Sequence, residues 1–201
     1  MKKRGVFICV EGLDASGKTT QSKLLVRGLR RKRFEAVYTT EPSHGKIGRL
    51  IRKHVLLGEN RLSVVLEALL FAADRVDHLE REVKPFLQAE KIVVSDRYVY
   101  SSFAYQGAAG LDLKWIEEVN SSAMKPDLTI YIDIPPDIVL QRLKREKSIM
   151  ETMQNQQRVR QIYLKLVKAY GLRLVDGNKP RAEVAKEILS VVTGFLSARD
   201  A

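Results

Sequence analysis

Gly12, Leu13, Asp14, Ala15, Ser16, Gly17, Lys18 and Thr19 follow the spacing G-x-x-x-x-G-K-[ST], and each chemical part of that pattern suits a polyphosphate. Gly12 and Gly17 let the backbone curl until successive N–H groups point inward. A helix starting here adds about half a positive charge at its N-terminus. Lys18 reaches the β- and γ-phosphates and the Thr19 hydroxyl holds Mg2+, with Asp14, Ala15, Ser16 and Thr20 completing the cradle. A glycine turn with a chance Lys-Thr pair is the competing account. Against it stand the apolar run Val6–Val10 just before the loop and the helical spacing of Leu24, Leu25 and Leu29 just after it. The expected ligand is a nucleoside triphosphate with Mg2+.

Two further groups carry chemistry. Asp96 and Arg97 leave an apolar run together. A carboxylate in that position beside a phosphate loop commonly holds Mg2+, directly or through water, and a guanidinium makes bidentate bonds to phosphate. An Asp–Arg pair that only ties loops together is the plainer account. The segment Tyr98–Gly107 that follows is rich in aromatic and small polar side chains and ends with the amide of Gln106. Stacking surfaces plus an amide suit a nucleobase edge, although Phe103 reads as helix packing. Phe71 and Arg75, four residues apart in a helical pattern, share a face. An apolar plate and a guanidinium there suit a base. Core packing of Phe71 and a salt bridge from Arg75 to Asp74 or Glu67 are the alternatives.

These residues need a frame. Strands are predicted at Val6–Glu11, Ala36–Thr39, Ile92–Ser95, Leu128–Ile132 and Leu172–Val175. Helices are predicted at Gly17–Arg31, Ile47–Leu57, Ser63–Gln88, Leu113–Met124, Pro136–Lys147, Met153–Tyr170 and Arg181–Ser197. Strand–helix alternation with near-continuous apolar strands predicts an α/β fold, a five-stranded parallel sheet with helices on both faces. Such sheets bind ligands at the carboxyl ends of their strands, which is where Gly12, Glu41, Asp96 and Asp133 fall. The 201 residues read as a single domain, 1–201, with a mobile lid near 142–157 that includes the polar, Gln-rich stretch Ser148–Gln157.

Composition narrows the class. One cysteine, Cys9, excludes a disulfide framework. The basic start Met1-Lys2-Lys3-Arg4 precedes an apolar run too short for a signal peptide, and no window approaches a membrane span, so a cytoplasmic protein without membrane partners is expected. The net charge of +11 fits polyphosphate substrates, nucleic acid or a solvated surface. Basic residues cluster where helices end, at Arg27–Arg33 and Arg142–Lys147, and there they offset the macrodipole. They are not interleaved with aromatics as single-strand platforms are, so no stable nucleic-acid partner is expected. His44, His54 and His78 show no metal-ligand spacing.

Taken together, these motifs resemble the thymidylate kinase family along almost the whole chain. The most specific parts are Asp96-Arg97-Tyr98 through Gln106 and Phe71-Ala72-Ala73-Asp74-Arg75. The resemblance implies a P-loop nucleoside monophosphate kinase fold and transfer of a phosphoryl group from ATP to dTMP. It implies that Phe71 stacks on thymine, that Arg75 and Gln106 hydrogen-bond the base, and that Ser102 lines the same pocket. Arg97 and Arg52 hold the monophosphate, Asp14 reaches the deoxyribose 3′-hydroxyl, and Tyr105 crowds a 2′-hydroxyl. Glu41 shapes the acceptor loop, and Asp176 lies beside the adenine. Family members are commonly homodimers, with the apolar faces around Val64–Phe71 and Trp115–Val119 as candidate interfaces or as core.

Two departures stand out. Ser43-His44-Gly45 follows Glu41-Pro42 where many members have Gly-Gly-Thr. With Ala15 where some members carry an arginine, the lid must supply the catalytic cation. Arg142 and Arg145 are the candidates, Arg145 being equally readable as a helix C-terminal charge. The alternative substrates are dUMP, another nucleoside monophosphate, or a deoxynucleoside. The last would need a carboxylate base, Glu11 or Glu41. A P-loop switch or a nucleic-acid-binding protein is the non-enzymatic reading.

Overall fold

The computed structural model describes residues 5–56, 62–142 and 152–200. Five strands, β1 (Val6–Gly12), β2 (Ala36–Thr40), β3 (Ile92–Asp96), β4 (Leu128–Asp133) and β5 (Arg173–Asp176), form one parallel sheet in the order β2-β3-β1-β4-β5. β1 is buried along its whole length and pairs with a strand on each side. Its run Val-Phe-Ile-Cys-Val therefore has no polar face, as a central parallel strand requires. Cys9 is buried within it.

The described helices are α1 (Lys18–Arg31), α2 (Lys46–Ile51), α3 (Val64–His78), α4 (Lys84–Gln88), α5 (Val99–Ala108), α6 (Leu113–Val119), α7 (Pro136–Arg142), α8 (Met153–Tyr170) and α9 (Arg181–Asp200). α1 turns Leu25, Val26 and Leu29 onto the core, and Gly17 precedes it at φ 91°, a conformation that costs glycine little. Ser63, Asp112 and Thr152 cap α3, α6 and α8 with their own side-chain oxygens, leaving fewer orphan N–H groups.

The strands fall within about a residue of their predicted positions. The helices differ in instructive ways. The predicted Ser63–Gln88 helix is three consecutive pieces, because Leu79–Val83 makes a π-helical turn between α3 and α4. A second π-helical turn, Arg52–Leu56, extends α2. The Leu113–Met124 helix ends early, at Val119. No helix is predicted over 99–108, yet α5 is there. Its sequence, Val-Tyr-Ser-Ser-Phe-Ala-Tyr, is poor in strong helix formers and contains no cap of its own.

Candidate functional site

The loop after β1 turns back on itself between Gly12 and Lys18. Gly12 sits at φ 156°, where an added Cβ would lie 2.8 Å from the Ile132 carbonyl on β4, so only glycine fits between the strands. A cavity of about 340 Å3 opens here, lined by Asp14, Ala15, Gly17, Lys18, Thr19, Thr20 and Arg97. Lys18 is buried and folds back onto the Leu13 carbonyl. Burial disfavours its ammonium form, and Arg97 repels it. Asp14, Asp96 and Glu11 pull the other way, and the balance leaves its pKa lowered to about 8.

Thr19 donates its hydroxyl proton to Asp96 Oδ2, and the Tyr38 hydroxyl donates to the same oxygen at 3.3 Å. Burial and the neighbouring carboxylate push the Tyr38 phenol up to about 12, so it stays a donor. The other oxygen, Asp96 Oδ1, is buried without a hydrogen-bond partner. An anionic oxygen left bare beside a threonine hydroxyl fits a hard divalent cation.

Arg97 follows at φ 72°, unusual for a residue with a side chain. Its guanidinium pairs with Asp14 Oδ1, donates to Ser101 Oγ at 3.1 Å, and lies 5.0 Å from the Tyr105 ring centre. The Tyr105 hydroxyl donates to Asp14 Oδ2 at 3.0 Å. Asp14, Arg97 and Tyr105 thus come together from the P-loop, the end of β3 and α5. Tyr105 also lines a second cavity of about 290 Å3, with Val64, Ala108, Ala109, Gly110 and three residues of α8, Asn155, Arg158 and Val159. Arg158 is a cation that sequence reasoning missed.

The expected base-side residues divide. Phe71 is half-buried and lies outside the packed core, which leaves ring surface available. Gln106 is buried, and its Oε1 has no partner. Arg75, in contrast, is 2% exposed and already engaged. It hydrogen-bonds Glu41 through Nε (3.0 Å), Ser102 Oγ through Nη2 (3.2 Å) and Asn120 Oδ1 through Nη1, and Nη2 also lies in ion-pair contact with Glu41 (2.8 Å). The hydrogen bonds use three of the five guanidinium N–H groups, so at most one donor on each of Nη1 and Nη2 is left for a ligand. Its buried partner is Glu41, not Asp74 or Glu67. Asp74 instead holds Ser43, accepting from its N–H and its hydroxyl, both at 2.6 Å.

Glu41 is held on its other oxygen by His78 Nδ1 at 3.2 Å, and His78 Nε2 meets the Thr39 hydroxyl at 2.6 Å. His78 carries no hint of this role in its spacing. Arg52 turns toward the Pro42 and Ser43 carbonyls. Asp176 is exposed at the end of β5 and accepts from the Asn178 N–H at 2.9 Å. Arg142 is exposed at the end of α7. Arg145 and most of the expected lid lie outside the described residues. Among the described residues, no cluster of three His, Cys, Asp or Glu forms a metal site, and no helix is long and apolar enough to cross a membrane.

The carboxylate that sequence reasoning undervalued is Glu11. Fully buried in β1, it accepts from the Tyr98 and Ser101 N–H groups on Oε1 (2.9 and 3.2 Å), and from the Ser101 and Tyr163 hydroxyls on Oε2 (2.7 and 2.9 Å). Burial pushes its carboxyl up, opposed by these donors and by Arg97. A charge inside an otherwise apolar strand was the available signal. Asp133, one strand over, takes a bidentate pair from Arg160 of α8 at 2.8 Å on each oxygen.

Known proteins are similar to this chain along most of its length. The family model for thymidylate kinase matches residues 10–188. A probable thymidylate kinase of Thermococcus gammatolerans is 40% identical over 94% of this chain and 96% of its own. Those of Pyrococcus horikoshii and Pyrobaculum calidifontis are 41% and 42% identical, over 94% and 93% of this chain and 96% and 95% of theirs.

Two measurements check the electrostatics. Bound phosphates must raise the pKa of Lys18, so ATP binding takes up protons: up to about half a proton at pH 8, fading below about pH 6.5 where Lys18 is already charged. Calorimetry in buffers of different ionisation heat reads this directly, and no uptake at pH 8 contradicts it. Arg75→Ala leaves Glu41 buried without its cation, and is expected to cost about 3–5 kcal/mol in urea denaturation. A cost below about 1 kcal/mol means that the pair is not structural.

Proposed function

Because the chain belongs to the thymidylate kinase family, we infer that it phosphorylates dTMP to dTDP with ATP, a step of dTTP biosynthesis. The observation that carries this reading is Arg97 in the wall of the P-loop cavity, backed by Asp14 and Tyr105. A triphosphate on the loop and an anionic acceptor at Arg97 face each other across that space. The acceptor phosphate is already ionised near neutral pH, so the reaction needs no general base. Alignment and charge neutralisation carry the rate.

In this reading Lys18 takes the β/γ-phosphates, Gly12, Ala15, Ser16, Gly17 and Thr20 form the cradle, and Asp176 borders the adenine. Mg2+ is held by Thr19 and Asp96, which is supported by the bare Asp96 Oδ1; when bound, it neutralises charge on the transferring phosphoryl. Arg97 and Arg52 bind the monophosphate, and Asp14 and Tyr105 meet the sugar. Phe71, Ser102, Gln106 and the remaining Arg75 donors meet the base. Glu41 acts by holding Arg75. The cation closing on the phosphoryl is Arg142 or Arg145.

The deoxynucleoside alternative fares worse. It needs a carboxylate base, and both candidates are buried and occupied, Glu11 by four donors and Glu41 by Arg75 and His78. A cytoplasmic homodimer belongs to the same reading. Val65, Leu66, Leu69 and Val76 leave an exposed apolar stripe along α3, whereas Ile116 of α6 is buried and Trp115 packs against the core. The α3 stripe is therefore the stronger interface candidate.

ADP release with Mg·ATP against dTMP, dUMP, dGMP, CMP, UMP, AMP and thymidine tests the activity. We expect dTMP to be preferred, and Gln106→Leu to raise the KM for dTMP at least tenfold while leaving that for ATP within twofold. Equal turnover of a purine monophosphate would remove the base-pocket assignment. For the dimer, light scattering of wild type and Leu69→Lys is expected to give a dimer and a monomer. A monomeric wild type ends that part of the reading.

A further inference from the structure

Arg97 is held by more than its own ion pair. Its N–H donates to the Val10 carbonyl at 3.0 Å, and its carbonyl accepts from Ser95 Oγ at 2.7 Å, so the backbone at φ 72° is pinned on both sides. At the far end of the side chain, Nη1 donates to Ser101 Oγ. A guanidinium cannot accept and a carboxylate cannot donate. The Ser101 hydroxyl lies 2.7 Å from Glu11 Oε2 and 3.1 Å from the Tyr163 hydroxyl, and donating to the carboxylate leaves a lone pair turned to Arg97. The Tyr163 hydroxyl donates to that same Glu11 oxygen at 2.9 Å. The relay runs Arg97, Ser101, Glu11, Tyr163, and joins the end of β3, α5, β1 and α8.

Tyr163 is fully buried, and its ring stacks on Tyr131 at 4.7 Å and 23°. The ring packs without its hydroxyl, so the hydroxyl is there for Glu11. The other Glu11 oxygen takes the N–H groups of Tyr98 and Ser101 at the start of α5, the helix without a cap of its own. One carboxylate thus caps α5 and stands as counter-charge behind Arg97.

We propose that Ser101, which holds Arg97 directly, and Tyr163, which acts through Glu11 and Ser101, are positioning residues for Arg97, so that the seat of α8 sets the geometry of the acceptor-phosphate clamp. The proposal rests on the reading of Arg97 as the acceptor-phosphate residue. α8 also sends Asn155 and Arg158 into the cavity that Tyr105 lines, so a single helix touches the acceptor side directly and braces its arginine from behind.

Initial rates at varied dTMP and varied ATP test this with Tyr163→Phe and Ser101→Ala. Tyr131→Phe, which removes a hydroxyl from the stacked ring but not from Glu11, serves as the control. Each test variant is expected to raise the KM for dTMP about three- to tenfold, with the KM for ATP and kcat within about twofold. The double variant is expected to fall short of the product of the two, because Tyr163 reaches Arg97 through the Ser101 hydroxyl. The control is expected to stay within twofold. The proposal is overturned if neither single variant moves the dTMP KM, or if both KM values rise together in step with a lowered thermal midpoint. The wild-type rate separates the two failures: no dTMP-dependent ADP release removes the acceptor reading and this proposal with it, whereas normal wild-type turnover with unaffected variants removes the positioning role alone.

Discussion

Three neighbouring parallel strands carry buried carboxylates at their carboxyl ends: Glu11 at 0% exposure on β1, Glu41 at 4% just after β2, and Asp96 at 4% on β3. A carboxylate out of water without donors or a cation costs several kcal/mol. Much of the site's order follows from meeting that demand. Glu41 takes Arg75 and His78. Glu11 takes two backbone N–H groups and two hydroxyls. Asp96 takes Thr19 and Tyr38 on one oxygen and nothing on the other. Two carboxylates are closed and the third is half open, and the open one lies beside the phosphate loop.

The cations are placed against this background. Arg97 lies between Asp14 and the Ser101–Glu11 relay, and Lys18 is buried beside it. Burial first and the Arg97 charge second lower the Lys18 pKa to about 8, whereas Tyr105 and Asp14 pull the Arg97 pKa up against burial. Phosphates entering the cavity relieve that repulsion. Cations set in advance around this cavity are the arrangement that electrostatic catalysis of phosphoryl transfer requires.

Arg75 follows the same logic at one remove. Arg75 is neutralised and oriented by Glu41, Ser102 and Asn120, and Asn120 is itself fixed by donating to the Ile116 carbonyl at 2.8 Å. A donor aimed this rigidly discriminates by what it leaves unpaired. Gln106 Oε1 is buried as well, and it has no hydrogen-bond partner.

The phosphate loop, Asp96 with Arg97, the parallel sheet and the strand positions were legible in the sequence, because each depends on a short local pattern: glycine spacing, a charge ending an apolar run, unbroken β-branched stretches. α5 was not, because the cap that starts it, Glu11, is 87 residues away from Tyr98 in the chain. The occupied guanidinium of Arg75 was not, because Glu41 is 34 residues before it and Asn120 is 45 after. The link between Glu11 and Tyr163 spans 152 residues. The amino-acid sequence by itself determined which groups capable of chemistry reach the carboxyl edge of the sheet. Only the tertiary structure decided which of them are closed by partners and which stay open to a ligand, because a buried charge is satisfied by whatever donors the packing brings within about 3 Å, wherever they lie in the chain.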